Sequence, residues 1–350
     1  MKKILSIQYM RAVAALAVVL FHATDKLGLG HIGSIGAAGV DVFFIISGFV
    51  MWSIASSRES FATGFLWSRI TRIVPIYWLY TLMLVMAAII CPAIFPRLQI
   101  NIEHLLFSLF FIPHYSPSDG DIHPIIAVGW TLNYEMFFYA VFSGLLFLSA
   151  HWRFIGVLAA LGTLVGIGAL YQGSNPIVLT YANPLLLEFA GGVVLGRLYE
   201  LGYMPGRKSA LFIAALGIIG FSLSAVFEPS HTYRIVYWGV PAFALVAGFV
   251  IFESRRSIGS YRVLEKLGDA SYSIYLVHPT IIAALASIVT LRGSQAFPVS
   301  FVVISLAAAT VAGLCSHLWV EAPLNAALRR FGKKYTQPAD IKFNALVQQS

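Results

Sequence analysis

The chain has 350 residues, 59% of them hydrophobic and only 11% charged, and its mean hydropathy is +0.81. A soluble domain carries roughly a quarter charged residues, so a water-facing globule is excluded and a polytopic membrane protein is indicated. The formal charge of +8 does not point to nucleic acid, because the basic residues lie in short loops between apolar runs with no DNA- or RNA-binding motif around them.

A membrane-spanning helix needs about 20 mostly apolar residues. That template predicts an all-α, polytopic membrane helix bundle with about ten transmembrane helices, at 4–24, 36–56, 73–92, 127–148, 153–171, 180–200, 209–227, 235–252, 271–290 and 299–320. The run "EHLLFSLFFI" at 103–112 is too short to span and ends at Pro113, which fits an interfacial or re-entrant helix. The first segment imitates a signal peptide, but Arg11 interrupts it and no small-x-small cleavage site follows, so it reads as a retained span. Of the 23 Lys and Arg, only Lys26, Arg97, Arg234 and Arg292 fall in loops opposite the termini, and Arg11 lies within the first span. The positive-inside rule therefore predicts both termini in the cytoplasm. No second domain is expected beyond a transmembrane domain over 1–325 and a basic cytoplasmic tail over 326–350.

Ionisable groups at bilayer depth cost at least ~2.5–3.5 kcal/mol each and mark candidate sites. Arg11 and His22 are separated by close to three helical turns, about 16 Å of rise, and so share one face of the first helix. The ordinary alternatives are a snorkelling arginine and a satisfied interfacial histidine. Asp41, in "GVDVFFIISGFVM", lies at a depth similar to His22; if the two meet, the carboxylate fixes the imidazole tautomer and makes His22 a general base. Otherwise Asp41 caps or pairs helices. Ser47 and Gly48 suit close helix packing.

Arg69 and Arg72 follow in the loop after the second helix, on one face if helical. They serve either as positive-inside anchors or as a fork for a phosphorylated cytosolic ligand. Trp67, Tyr77, Trp78 and Tyr80 read as an aromatic belt. In "GWTLNYEMFFY", Glu135 lies about 12 Å below the helix start; it either pairs with a cation such as Arg11 or serves catalysis or hydroxyl binding, with Trp130 and Asn133 shaping a sugar-sized pocket. His278, in "SYSIYLVHPTI", and the i, i+4 pair His317 and Glu321 are further candidates, expected in the cytoplasmic half. Glu321 equally marks a helix end. Cys91 and Cys315 are far apart in apolar segments, and no metal-ligand spacing or phosphate-cradling loop occurs, so neither a metal centre nor a disulfide framework is expected.

These residues resemble the acyltransferase family 3 of integral membrane enzymes, and in particular its exopolysaccharide-modifying bacterial members, over roughly residues 4–325. The resemblance rests on Arg11 and His22 as an Arg-x10-His pair, on "GVDVFFIISGF" and on Arg69-x-x-Arg72. It is extended by "WTLNYEMFFY", "SYSIYLVHP" and "SHLWVEAPLN". It implies transfer of an acyl group, most commonly acetyl, from cytosolic acyl-coenzyme A to a hydroxyl of an envelope glycan at a bacterial inner membrane. His22 carries over as the essential histidine, Arg11 as its paired arginine, and Arg69 and Arg72 as the loop arginines. The donor is a substrate, so no permanently bound cofactor is expected. The partners would be acyl-coenzyme A, a glycan or lipid-linked saccharide acceptor, membrane lipids and polysaccharide biosynthesis machinery. A multi-pass transporter or flippase is the rival reading, since intramembrane charges also build substrate pathways. A silent assembly or sensor subunit is a third.

Overall fold

The computed structural model describes residues 4–29, 33–57, 62–227, 233–291 and 298–335. Every regular element among them is helical apart from one isolated bridge between Tyr115 and Ile122. Nine segments of these residues are long and apolar enough to cross a membrane. Helices suit such a chain because each satisfies its own backbone polar groups where water is absent.

Helix α1 (Leu5–Asp25) begins at Ile4, which cannot cap it; instead the Leu5 and Ser6 amides donate to the two Glu253 carboxylate oxygens at 2.9 and 2.7 Å. A carboxylate from a distant helix thus meets the exposed donors and positive dipole end of α1. A 3-10 turn, Ser34–Ala38, leads into α2 (Gly39–Ser57). The next helix, α3 (Ala62–Ile90), starts well before the expected position near 73. Arg69 and Arg72 consequently stand on a helix rather than in a loop. Their charges had interrupted the apolar pattern, but a guanidinium that faces a polar interior does not end a helix.

Asn101 caps the short α4 (Ile102–Leu109) by accepting from the His104 amide at 2.7 Å. The span expected over 127–148 appears as α5 (Trp130–Gly144), about 22 Å long at 1.5 Å per residue and too short to cross alone. Much of it is nevertheless buried in protein, including Thr131, Asn133, Phe138 and Tyr139. Helix α6 (Ala150–Leu170) follows, and the segment expected at 180–200 is divided into α7 (Pro176–Tyr181) and α8 (Leu186–Glu200). The break falls at Asn183-Pro184, where the Asn183 side chain accepts from the Leu185 amide at 3.0 Å.

The remaining helices are α9 (Arg207–Phe227), α10 (Val240–Arg255), α11 (Arg262–Asp269), α12 (Ser271–Leu291), α13 (Pro298–Ser316) and α14 (Ala322–Tyr335). Two π turns interrupt this set, Ile235–Gly239 before α10 and His317–Glu321 between α13 and α14. The basic tail expected over 326–350 begins as α14, and residues 336–350 lie outside the described residues.

Helix α2 lies at the centre, against α1, α5, α8 and α10. Its approach to α8 depends on two glycines: a Cβ on Gly48 would collide with the Phe189 carbonyl, and one on Gly192 with the Ile45 carbonyl. Small residues permit such close backbone contact in membranes. Trp52, Phe138, Phe142 and Phe189 fill the fully buried core beside this crossing. The expected aromatic belt is only partly realised, since Tyr77 is fully buried and Tyr80 hydrogen-bonds Ser316, leaving Trp67 and Trp78 exposed.

Candidate active site

A cavity of about 200 Å³ opens between α1, α2, α3, α5 and α12. On α2 its lining runs from Val40 to Met51, about 16 Å of helix rise. Arg11, Arg72, Ser47 and Glu135 all face it. Ser47 Oγ donates to Glu135 Oε1 at 2.9 Å, and the Tyr139 hydroxyl bonds the same oxygen. One carboxylate therefore collects two hydroxyl donors, with two guanidinium groups lining the same cavity. This satisfies a charge that would be prohibitive in apolar surroundings, and it leaves polar hydrogens available to a ligand. Arg11 also lies within electrostatic range of Glu321 and Asp269. Arg69 is half-buried beside Ser68 and does not line the cavity.

Near the end of α1 where the chain begins lies a second polar network. His317 Nδ1 and Ser273 Oγ both approach Glu321 Oε2, at 2.9 and 2.7 Å, and Ser316 donates to Ser273 at 3.0 Å. The π turn carries both His317 and Glu321, so the expected i, i+4 pair forms on an irregular helix, a common feature of functional sites.

His22 does not meet Asp41. Its Nδ1 lies 2.9 Å from the Val18 carbonyl and 3.3 Å from Nε2 of His278, and the two imidazole rings are 4.9 Å apart. His278 is fully buried and lies at the level of His22, instead of sharing the half that holds His317. The cause is that α11 forms a separate short helix packed along α1, with Gly268 against Gln8, so α12 starts already deep in the bundle. His22 is half-buried and does not line the cavity. Tyr275, which does line it, has its ring 5.8 Å from that of His278. Ring contacts through Tyr275 and His278 thus connect the cavity wall to His22.

Asp41 is instead held by Arg234, which donates to it through Nε at 3.2 Å and Nη2 at 2.8 Å. The Arg234 guanidinium also lies over the rings of Trp238, at 4.8 Å, and Trp130, at 5.7 Å. Glu188 sits beside this pair, and neither of its oxygens receives a donor from a described residue. Asp41 is wholly buried and Glu188 is 2% exposed. Trp130 and Asn133, expected in a sugar pocket, do not line the cavity: Trp130 packs on Arg234, and Asn133 is buried with Oδ1 unpartnered. Glu188 and Arg234 were missed as site residues. Glu188 was visible as a lone acid within "LLLEFAGG", whereas Arg234 had been counted as an ordinary loop charge.

Outside the spans, the loop between α4 and α5 is tied down by histidines. His104 Nδ1 lies 2.6 Å from His114 Nε2, and His114 Nδ1 lies 2.7 Å from the Ile112 carbonyl. This assigns the His114 proton to Nδ1 and leaves His104 Nε2 a buried, unpartnered acceptor. Burial, and then the neighbouring His114, hold His104 down at about 4. No group of three or more His, Cys, Asp or Glu among the described residues is arranged to hold a metal.

The family model Acyl_transf_3, an acyltransferase domain, matches residues 4–317. The chain belongs to this family. It is 40% identical to the exopolysaccharide production protein ExoZ of Rhizobium meliloti, over 87% of this chain and 94% of that protein. It is 26% identical to the acyltransferase MdmB of Streptomyces mycarofaciens, over 95% of this chain and 94% of that one. Identity to the peptidoglycan O-acetyltransferase OatA of Listeria monocytogenes is 23%, over 92% of this chain but 56% of OatA. No solved structure matches it. The chain is an all-α polytopic membrane protein of this acyltransferase family.

Proposed function

We propose that this protein is a bacterial inner-membrane O-acyltransferase that moves an acyl group, acetyl in the first instance, from cytosolic acyl-coenzyme A to a hydroxyl of an exopolysaccharide or its lipid-linked precursor. The observation that carries this reading is the cavity running along α2 with Arg11 and Arg72 in its lining and Tyr275 near the histidine pair. The Lys/Arg asymmetry puts the end of α1 that bears the N-terminus in the cytoplasm. The phosphates of the donor then rest near Arg69 and Arg72, and its extended pantetheine arm follows α2 past Ser47 and Glu135, whose polar hydrogens and oxygens suit its amides. The thioester arrives beside Tyr275 and Thr131, close to the level of His22.

His22 acts there as general base. A Nδ1 proton donated to Val18 leaves Nε2 with a lone pair and no bond to a described residue. The acceptor hydroxyl gives its proton to that Nε2 while its oxygen attacks the thioester carbonyl carbon. Collapse breaks the C–S bond, and the proton passes from His22 to the departing sulfur. Asp41 contributes by locking Arg234 and the adjacent Trp130, not by touching His22. Similarity to ExoZ supports an exopolysaccharide acceptor.

Membranes containing the protein, given acetyl-coenzyme A labelled in the acetyl group, should transfer label to glycan. His22→Ala should reduce transfer by about 100-fold or more at unchanged protein level. Transfer that survives this substitution removes His22 from the chemistry, and absence of label from the wild-type product removes the donor.

A further inference from the structure

Position 279 is a proline inside α12. Having no N–H, it cannot donate to the carbonyl four residues earlier, that of Tyr275. The neighbouring His278 side chain lies beside the gap, with Nδ1 at 3.3 Å from the Ile274 carbonyl and the Tyr275 carbonyl close by. A carbonyl acceptor at Nδ1 requires the His278 proton there, which leaves Nε2 as an acceptor. That Nε2 faces His22 Nδ1 at 3.3 Å. His22 Nδ1–H is therefore shared between the Val18 carbonyl and the second imidazole.

We propose that His278 is the positioning residue of His22, taking the part that a carboxylate plays in the more familiar triads, and that Pro279 sets its tautomer. This rests on the assignment of His22 as base. The Val18 carbonyl accepts from His22 Nδ1, but a backbone carbonyl within the same helix cannot hold the ring, and with it the protonated nitrogen, against rotation of the side chain. His278, on another helix, supplies that second anchor. When the acceptor hydroxyl protonates His22 Nε2, the Nδ1–H becomes a charged donor and its bond to His278 strengthens. The protein groups around the pair are Val18, Phe21 and Asp25 on α1 and Ile274 and Tyr275 on α12. Asp25, one turn beyond His22, is the carboxylate among them and acts through space. A base balanced by a neutral imidazole holds its proton only briefly, which favours rapid delivery to the thiolate leaving group. His278 does not touch the substrate.

The test compares two replacements in membranes with acetyl-coenzyme A. His278→Phe keeps a ring but removes the acceptor; His278→Gln keeps an acceptor oxygen near the position of Nε2. Phe should lower kcat by about 10- to 100-fold with KM for acetyl-coenzyme A unchanged, and Gln should recover most of that loss. In a His22→Ala background, His278→Phe should cause no further decrease. Equal losses for Phe and Gln, or a change confined to KM, overturn the proposal. A readout independent of activity is the 15N spectrum of histidine-labelled protein: His22 carries its proton on Nδ1 in the wild type and in His278→Gln, and a second population appears in His278→Phe. A wild-type His22 protonated on Nε2, or a His278→Phe spectrum identical to wild type, overturns it even if the donor proves to be a different acyl thioester.

Discussion

The cavity beside α1 and the cluster at the start of α2 contain the same kinds of residues and treat them differently. Around the cavity, Arg11, Arg72 and Glu135 stand on open walls, with Ser47 and Tyr139 supplying hydroxyls to the carboxylate. At the other end of α2, Asp41, Arg234 and Glu188 are packed among Trp130, Trp238 and Tyr134 and do not line that cavity. A buried charge must be neutralised or hydrogen-bonded in either place. Where space remains, the surplus hydrogen-bonding capacity can serve a ligand; where side chains fill it, the same groups lock helices. A charged residue within a span is thus a question whose answer depends on the free volume beside it.

The sharpest way to break this contrast is Arg234→Ala. It leaves the fully buried Asp41 without its bidentate partner and Glu188 without a nearby cation, and should destabilise the protein by about 3–5 kcal/mol. Thermal unfolding in detergent and the amount of protein in the membrane would report it. A variant that unfolds at the wild-type temperature but loses acyl transfer would move this cluster from structure to chemistry. The reverse pattern is expected at the cavity. Arg72→Ala and Glu135→Gln should lower kcat/KM for acyl-coenzyme A by about 10- to 100-fold, equivalent to about 1.4–2.8 kcal/mol, with unfolding little changed because the cavity already admits solvent-sized groups. Loss of stability there would erase the distinction.

The smallest effect belongs to the loop between α4 and α5, outside both regions. His104 is held at about 4 against its ordinary 6.5. The unfolded chain therefore binds a proton first as pH falls, so the contribution of His104 is fully present above pH 6.5 and declines between about 6.5 and 4. The slope is at most about 1.4 kcal/mol per pH unit. Protection of the loop amides against hydrogen exchange, compared at pH 7 and pH 5, should fall for wild type and not for His104→Phe. Equal protection at both pH values would mean that His104 is already open to water.

Much of the architecture could be read from the residues because a spanning helix is a local object: about 20 apolar letters suffice, and no distant partner is needed to satisfy its backbone. The exceptions have local causes of another kind. Helix α5 is short because protein, rather than lipid, surrounds most of it. The first turns of α3 were hidden by Arg69 and Arg72, whose charges imitate a loop. Candidate site residues were recognisable one at a time, since a charge in an apolar run stands out, and Arg11, Arg72, Ser47 and Glu135 do converge on one cavity.

Partnership was a different matter. Asp41 and His22 matched in depth, yet depth is one coordinate of three, and the rotation of α2 about its own axis turns Asp41 toward Arg234. Likewise nothing near His22 in the chain announces His278, which is brought beside it by the separate packing of α11 along α1. Sequence by itself determined that this protein lives in lipid, that it is built of apolar helices, and which side chains are too polar to be there without a partner; it suggested about ten crossings where nine segments of the described residues are long and apolar enough. Tertiary structure alone decided which of those side chains meet and which have room beside them, because helix rotation and vertical offset are fixed by contacts between residues hundreds of positions apart.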